Sequence, residues 1–146
     1  MYKLCAPKRI LFGSIIIILS VFVFCQIINY QKTYVQLVVY SLQKMEDSLR
    51  KDDFDDFAEA INCLQTVSSA YGRKAGQDAA NKICIILNTC IYEEFLDADK
   101  EALVIVLENY VGYISEKLII KKEMRHLSER LEVIFDNYLT DETRTY

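Results

Sequence analysis

Apolar and polar positions divide the chain into two stretches with different patterns. Residues 10–30 contain no charged side chain and are almost continuously hydrocarbon. A helix of this length rises about 32 Å at about 1.5 Å per residue, which matches the roughly 30 Å hydrocarbon core of a bilayer. The pattern therefore predicts a transmembrane helix over residues 10–30, preceded by a short cytosolic N-terminus, residues 1–9.

Beyond this segment the apolar positions take the spacing of an amphipathic helix. No glycine or proline occurs between Gly13 and Gly72. Apolar residues recur at steps of three and four, which places them on one helix face. They are Val35, Val38, Leu42, Met45 and Leu49. The pattern predicts that the transmembrane segment continues without a break into the first helix of a domain, and that this long helix ends near Arg50.

Two further helices are predicted from their caps and their apolar spacing. Asp52 or Asp53 suits an N-cap, because a carboxylate there accepts hydrogen bonds from the free amides of the first turn. The helix that follows should end at Gly72, since glycine commonly closes helices. A third helix is predicted from Lys74 or Gly76 to residue 96, with an apolar face wide enough for the centre of a bundle.

A fourth helical stretch begins at Asp97 or Asp99 and keeps its apolar spacing towards the C-terminus. Its register shifts between residues 117 and 122, so the pattern fits either one helix of about forty residues or two of about twenty. Residues 141–146 are polar and should be disordered. The sum is an all-α protein, an N-terminal transmembrane helix followed by an antiparallel bundle of four or five helices, with the bundle domain over residues 31–140.

The charge of the domain limits the partners that it could bind. Of the seventeen basic residues, Lys3, Lys8 and Arg9 precede the apolar segment, which leaves fourteen against all twenty-one acidic residues and a net charge of −7. Affinity for nucleic acid depends on neutralising phosphates with Lys and Arg, so we expect no nucleic-acid ligand. The same charge argues against broad contact with anionic lipid headgroups.

Charges around the apolar segment predict its orientation. Lys3, Lys8 and Arg9 precede the segment and only Lys32 follows it closely. The positive-inside rule then places the N-terminus in the cytosol and the domain on the extracytoplasmic side. Three domain thiols without an obvious partner fit a reducing compartment better, which favours the opposite orientation. Because the run is longer than that of a cleaved signal peptide and no small-x-small site follows it, we interpret it as a signal-anchor retained in the cell membrane.

Residues that could carry catalysis or bind a metal are sparse. His126 is the only histidine, which argues against a histidine-rich zinc site, an HExxH protease and a di-iron bundle. On the heptad of its neighbours this side chain points to solvent. Residues 72–76 form a turn between helices and not a phosphate-binding glycine loop. We therefore predict no catalytic residue, no metal and no cofactor, and expect that the protein is not an enzyme.

The cysteines of the domain are Cys63, Cys84 and Cys90. All three lie in apolar runs, so we expect them to be small buried core residues. Cys84 and Cys90 on one helix would lie about 9 Å apart along its axis, which is too far for a mutual disulfide. A bridge from Cys63 to either of them stays open, and the pattern does not fix their redox state.

Two surface features suggest where a partner could dock. Lys117, Lys121 and Arg125 are spaced by four and should line one helix face, which suits an acidic partner. A plain solvated face explains the same spacing. Tyr110 and Tyr113 stand on either side of a glycine that allows close approach, so they could line a partner groove, although core packing explains them as well.

The sequence favours a non-catalytic membrane protein that mediates protein–protein interaction or scaffolding. The regular seams in residues 35–49 and 120–138 suit coiled-coil pairing with a protein partner or with a second copy. The alternative is a helical bundle that binds a small apolar ligand, as a sensor-like ectodomain does, and its motivation is the wide apolar face of residues 79–91. Because one fold serves many functions, the fold class does not decide between these hypotheses.

Overall fold

The computed structural model describes residues 6–92 and 97–142, and it describes side chains within residues 12–88 and 100–134 and at Asp136. Within these residues the chain forms five α-helices and no strand. The helices are α1 (Ala6–Arg50), α2 (Phe54–Ala70), α3 (Lys74–Tyr92), α4 (Asp97–Ser115) and α5 (Lys121–Glu142). The predicted all-α class is confirmed. The predicted end of the third helix, at residue 96, lies outside the described residues, as do residues 143–146 of the predicted tail; the tail's first two residues belong to α5.

The chain divides into two compact units, residues 1–33 and residues 34–146. In the first unit, α1 exposes its apolar side chains on every side, with Ile18 67 % exposed and Phe24 and Phe22 similarly open. By length and composition this is one helix near the N-terminus that could cross a membrane. Hydrocarbon side chains without protein cover are what a lipid-facing helix presents.

The second unit has one apolar core, to which every helix contributes. From α1 the predicted stripe is buried throughout, and Leu42 and Met45 are fully enclosed. Ser41 and Ser48 are buried on the same helix, and their hydroxyls donate to the backbone carbonyl oxygens of Leu37 and Lys44. These bonds within the helix satisfy the hydroxyls without a partner from another element. The predicted spacing therefore identified a core face.

Local turn chemistry sets the two ends of α2. The Asp53 carboxylate accepts a hydrogen bond from the Asp56 amide at 3.0 Å, so the predicted N-cap is confirmed. At the other end Gly72 takes φ +62°, a left-handed conformation that glycine adopts without a Cβ penalty. The Arg73 amide then donates to the Ser68 carbonyl and closes the turn into α3.

The fourth helical stretch is two helices and not one. Helix α4 has 19 residues and α5 has 22, separated by residues 116–120, which we name the α4–α5 connection. Ile114 and Ile120 are both buried in the core. Six positions along a continuous helix would place them about 120° apart, so the break lets both side chains reach the core.

Helices α3 and α5 run side by side in the same direction. Lys82 on α3 donates to the Ser128 carbonyl and to Glu132 on α5, and the start of α3 meets the start of α5 at Lys74 and Lys121. Helix α4 lies between α3 and α5 in the sequence and carries the chain back to the end at which α3 began, so that α5 can run parallel to α3. Helices α2 and α3 are antiparallel, because Gln65 on α2 pairs with Asn81 on α3 and Ser68, further along α2, lies against Gly76 at the start of α3.

Candidate interaction surfaces

Helix α4 carries apolar residues on opposite faces. Its inner face is buried in the core and consists of Leu103, Val104, Leu107 and Ile114. Its outer face carries Ile105, which is 50 % exposed, and Gly112 one heptad further on. A methyl group added at Gly112 would meet no other atom within 4 Å, so a neighbouring backbone could approach there closely. We name Ile105, Asn109, Gly112 and Tyr113 the α4 face.

The two tyrosines predicted to line a partner groove differ in position. Tyr110 is half-buried against the core, and this burial raises the pKa of its hydroxyl. Tyr113 is 59 % exposed, and the Lys117 ammonium lies 3.9 Å from the centroid of its ring. That distance is within the range of a cation–π contact. Tyr113 thus belongs to the surface, whereas Tyr110 mainly completes the core.

The predicted basic strip does not lie on one helix. Lys117 falls in the α4–α5 connection, and its Nζ donates to Glu123 Oε1 at 2.7 Å. This hydrogen bond raises the pKa of Lys117 and lowers the pKa of Glu123. Because the chain breaks before α5, Lys117 folds back on Glu123 and does not share a helix face with Lys121 and Arg125.

Lys121 and Arg125 do lie together, at the start of α5. They line an open groove of about 390 Å³ with residues from the start of α3. The α3 residues are Lys74, Ala75 and Asp78, and Ser128 completes the groove from α5. Basic side chains from two helices therefore meet at one place, although they are about 50 positions apart in sequence. Spacing along a single segment could not have shown this.

The other residues that the sequence marked for chemistry stand apart from one another. His126 points to solvent, as predicted, and its Nδ1 lies 3.1 Å from Glu129 Oε2. Cys84 is exposed and Cys63 is half-buried, and both are free thiols. The prediction of a buried core residue is wrong for Cys84, because Ala80, Ile83 and Leu87 take the core side of α3, and Cys63 meets it only in part. The side chain of Cys90 lies outside the described residues.

Where side chains are described, no group of three or more His, Cys, Asp or Glu residues is placed so that it could hold a metal ion. The apolar face of α3, which motivated a ligand-binding hypothesis, is filled by the chain's own core at Ala79, Ile83 and Leu87. At its edge, Ile85 and Leu131 line an open groove of about 260 Å³ with Lys82, Glu132 and Asp136.

No protein-family model matches the chain, and no curated protein or solved structure matches it either. The interaction surfaces described above therefore rest on the sequence and geometry of this chain alone.

Proposed function

We propose that this chain is a non-catalytic single-pass membrane protein whose helical unit binds a protein partner through the α4 face. The observation that carries the proposal is that α4 exposes Ile105 and Tyr113 on the side opposite its core face. A surface helix normally turns polar side chains outwards, and among the described residues none covers Ile105 or Tyr113 on the outer side. Exposed Ile105 and Tyr113 supply the apolar and aromatic surface that partner-binding sites favour.

The first unit supplies the membrane anchor in this proposal. Its exposed hydrocarbon surface and its lack of charge over residues 10–30 support retention in a bilayer. We propose that the N-terminus faces the cytosol and that the helical unit is extracytoplasmic, because Lys3, Lys8 and Arg9 precede the segment. Anchoring restricts the search for a partner to the membrane, so a modest contact area suffices for binding.

Charge on the outer side of α4 favours a partner other than a second copy. Glu101 and Glu116 stand near the two ends of this side. Antiparallel self-pairing would set Glu101 against Glu116, and parallel self-pairing would set each against its own copy. Like charges in direct opposition cost free energy. The fitting partner is a helix of another membrane protein, with an apolar stripe flanked by basic residues.

The seams that first suggested coiled-coil pairing do not support this proposal. In the second unit Val35, Val38 and Leu49 are buried in the unit's own core, as are Met124, Leu127 and Leu131 on α5. Pairing with another chain through these faces would require the bundle to open. The α4 face, in contrast, is accessible without unfolding.

Site-specific photocrosslinking in intact cells tests the proposal. A photoreactive residue replaces Ile105 in the full-length protein, and the matched control carries it at Val133, an apolar α5 residue that is 54 % exposed. We expect one adduct with a membrane protein at position 105 and none at 133. Charge reversal by Glu101→Lys with Glu116→Lys should remove most of the adduct, whereas Asp47→Lys on α1 should not.

Three results would contradict the proposal. Equal adducts at 105 and 133 would indicate random collision. An adduct of twice the chain's mass would indicate a second copy in place of a different partner. No adduct at 105, with the protein present in the membrane fraction, would show that the α4 face binds nothing in the cell.

A further inference from the structure

One end of the second unit contains Tyr34, the residue at which the chain enters this unit. Tyr34 is the first buried residue of α1 in this unit. The Arg73 guanidinium carbon lies 5.6 Å from the centroid of the Tyr34 ring, and a methyl group added at Gly76 would come within 2.9 Å of the Tyr34 hydroxyl oxygen. The turn between α2 and α3 therefore packs directly on Tyr34.

The α4–α5 connection lies at the same end of the unit. Lys121, the first residue of α5, shares its groove with Lys74, the first residue of α3. Because α3 and α5 run in parallel from this groove, the residues that precede α5 lie at the end where the α2–α3 turn packs on Tyr34. We name this region the Tyr34 end.

Chain length limits how far this end can be from the bilayer. Tyr34 follows Tyr30, the last residue of the apolar segment, by four positions. Consecutive Cα atoms are about 3.8 Å apart, so the two Cα atoms are within about 15 Å of each other in any arrangement of the two units. If the first unit spans a membrane, Tyr34 itself therefore stays near the membrane surface.

This end also exposes hydrocarbon in a place where loops are normally polar. Leu118 is 42 % exposed and Ile119 is 67 % exposed, and both lie in the α4–α5 connection. Lysines stand on both sides of the pair, Lys117 before it and Lys121 and Lys122 after it. An apolar tip framed by lysines is the composition of segments that lie in the membrane interface.

The net charge of the domain conceals an uneven distribution. The Tyr34 end carries six basic side chains, which are Arg73, Lys74, Lys117, Lys121, Lys122 and Arg125. Three acidic residues accompany them, Asp78, Glu116 and Glu123. The acidic excess lies elsewhere, for example in the four aspartates at positions 52, 53, 55 and 56. Local charge of this sign attracts anionic lipid headgroups within about one Debye length.

We propose that the Tyr34 end docks on the membrane surface, with Leu118 and Ile119 inserted at the boundary between headgroups and acyl chains and with Lys121 and Lys122 facing anionic headgroups. The inference rests on the anchoring half of the proposed function and not on the α4 face. It replaces the expectation that net charge keeps this domain from lipid, because contact is confined to one basic end. Docking would give the helical unit two attachments to the bilayer.

The chain contains no tryptophan, so one introduced tryptophan reports on its own position. The full-length Ile119→Trp protein is reconstituted in vesicles of phosphatidylcholine with a minor fraction of phosphatidylglycerol. Val133→Trp is the matched control, since Val133 is also exposed and lies on α5 far from the Tyr34 end. Fluorescence is measured with lipids brominated on their acyl chains and, separately, with iodide in the buffer.

We expect bromolipids to quench the Ile119→Trp protein several-fold more than the Val133→Trp protein, and iodide to show the reverse order. Adding Lys121→Glu and Lys122→Glu to the Ile119→Trp protein should reduce its bromolipid quenching, whereas adding Lys51→Glu, on the α1–α2 turn, should not. Equal iodide quenching of the two tryptophan proteins would overturn docking. Shielding of the indole at position 119 from both quenchers would overturn it too, because protein and not lipid would then cover the tip.

The same preparation separates this inference from the proposed function. Flotation of the full-length protein with the vesicles reports on anchoring, and a protein that does not float would overturn anchoring and docking together. An Ile119→Trp protein that floats and whose indole is open to iodide overturns docking alone. Failure of the Ile105 photocrosslink removes the α4 partner and does not alter the result expected from the vesicles.

Discussion

Helix α1 contains two stretches that share one backbone geometry and differ in what surrounds them. Over residues 12–30 the large apolar side chains are exposed in all directions. Over residues 34–50 most apolar side chains form one buried stripe, whereas Tyr40 and polar residues such as Gln36 and Gln43 face outwards. The first stretch has no side that suits water, whereas the second has one.

This difference teaches that helix formation and helix environment are encoded separately. The first stretch is rich in Ile and Val, for example at residues 15–18, and such β-branched residues are only moderate helix formers. A helix satisfies every backbone hydrogen bond internally, which a bilayer interior requires. Angular distribution of the apolar residues, and not their number, then determines whether a stretch packs against protein or faces lipid.

Truncation of one buried side chain in the second stretch should have the largest effect. Leu42→Ala removes a fully buried side chain and should lower the free energy of unfolding of the helical unit by about 2–5 kcal/mol. Ile18→Ala should leave that free energy unchanged, because Ile18 contacts no core. Denaturant titration followed by circular dichroism in mild detergent measures both. Equal effects would contradict the division of α1 into two environments.

An introduced charge should affect membrane insertion in the first stretch of α1 and not in the second. Ile18→Lys places a cation near the middle of the apolar segment and should cost about 2.5–3.5 kcal/mol of membrane insertion. Tyr40→Lys, on the exposed side of the second stretch, should cost none. The fraction of protein that resists carbonate extraction from membranes gives the comparison. Unchanged resistance of Ile18→Lys would show that this segment is not the anchor.

A glycine substitution near Tyr34, where the second stretch begins, should differ in sign from one on the open side of α4. Gly76→Ala would force a methyl group against the buried Ser68 side chain and the Tyr34 hydroxyl, so we expect destabilisation of about 1–3 kcal/mol. Gly112→Ala, on the open side of α4, should stabilise the unit by about 0.5–1 kcal/mol through the better helix propensity of alanine. The melting temperatures of both proteins, compared with that of the original chain, measure these two changes. A stable Gly76→Ala protein would indicate that Tyr34 and α3 are not in close contact.

Features set by short-range chemistry were predictable from the sequence. The Asp53 cap, the turn at Gly72 and the end of α1 at Arg50 were all predicted, and each depends on a hydrogen bond or a backbone preference within a few residues. The location of the register shift before α5 was predicted from the spacing of apolar residues. Whether the chain breaks there into two helices was not predictable, because this depends on whether Ile114 and Ile120 both reach a core that other helices build.

Features set by the arrangement of helices were not predictable. The spacing of Lys117 suited a continuous helix, and only the break redirected this side chain to Glu123. Cys84 looked like a core residue because several apolar neighbours on α3 compete for one face. The collection of basic residues at the Tyr34 end requires knowing that α3 and α5 begin at the same place, which a pattern along one segment does not contain.

The parallel pairing of α3 and α5 also has a consequence for the time course of folding. Helices α2 and α3 are joined by a short turn and can pack as soon as both are synthesised. The hydrogen bonds from Lys82 form only after Ser128 and Glu132 have been synthesised, 46 and 50 positions later in the chain. At about 5–20 residues per second of synthesis this delay is roughly 2–10 s. During that interval one side of α3 has no cover, so a nascent chain is most exposed to aggregation, and most accessible to chaperones, between the emergence of α3 and that of α5.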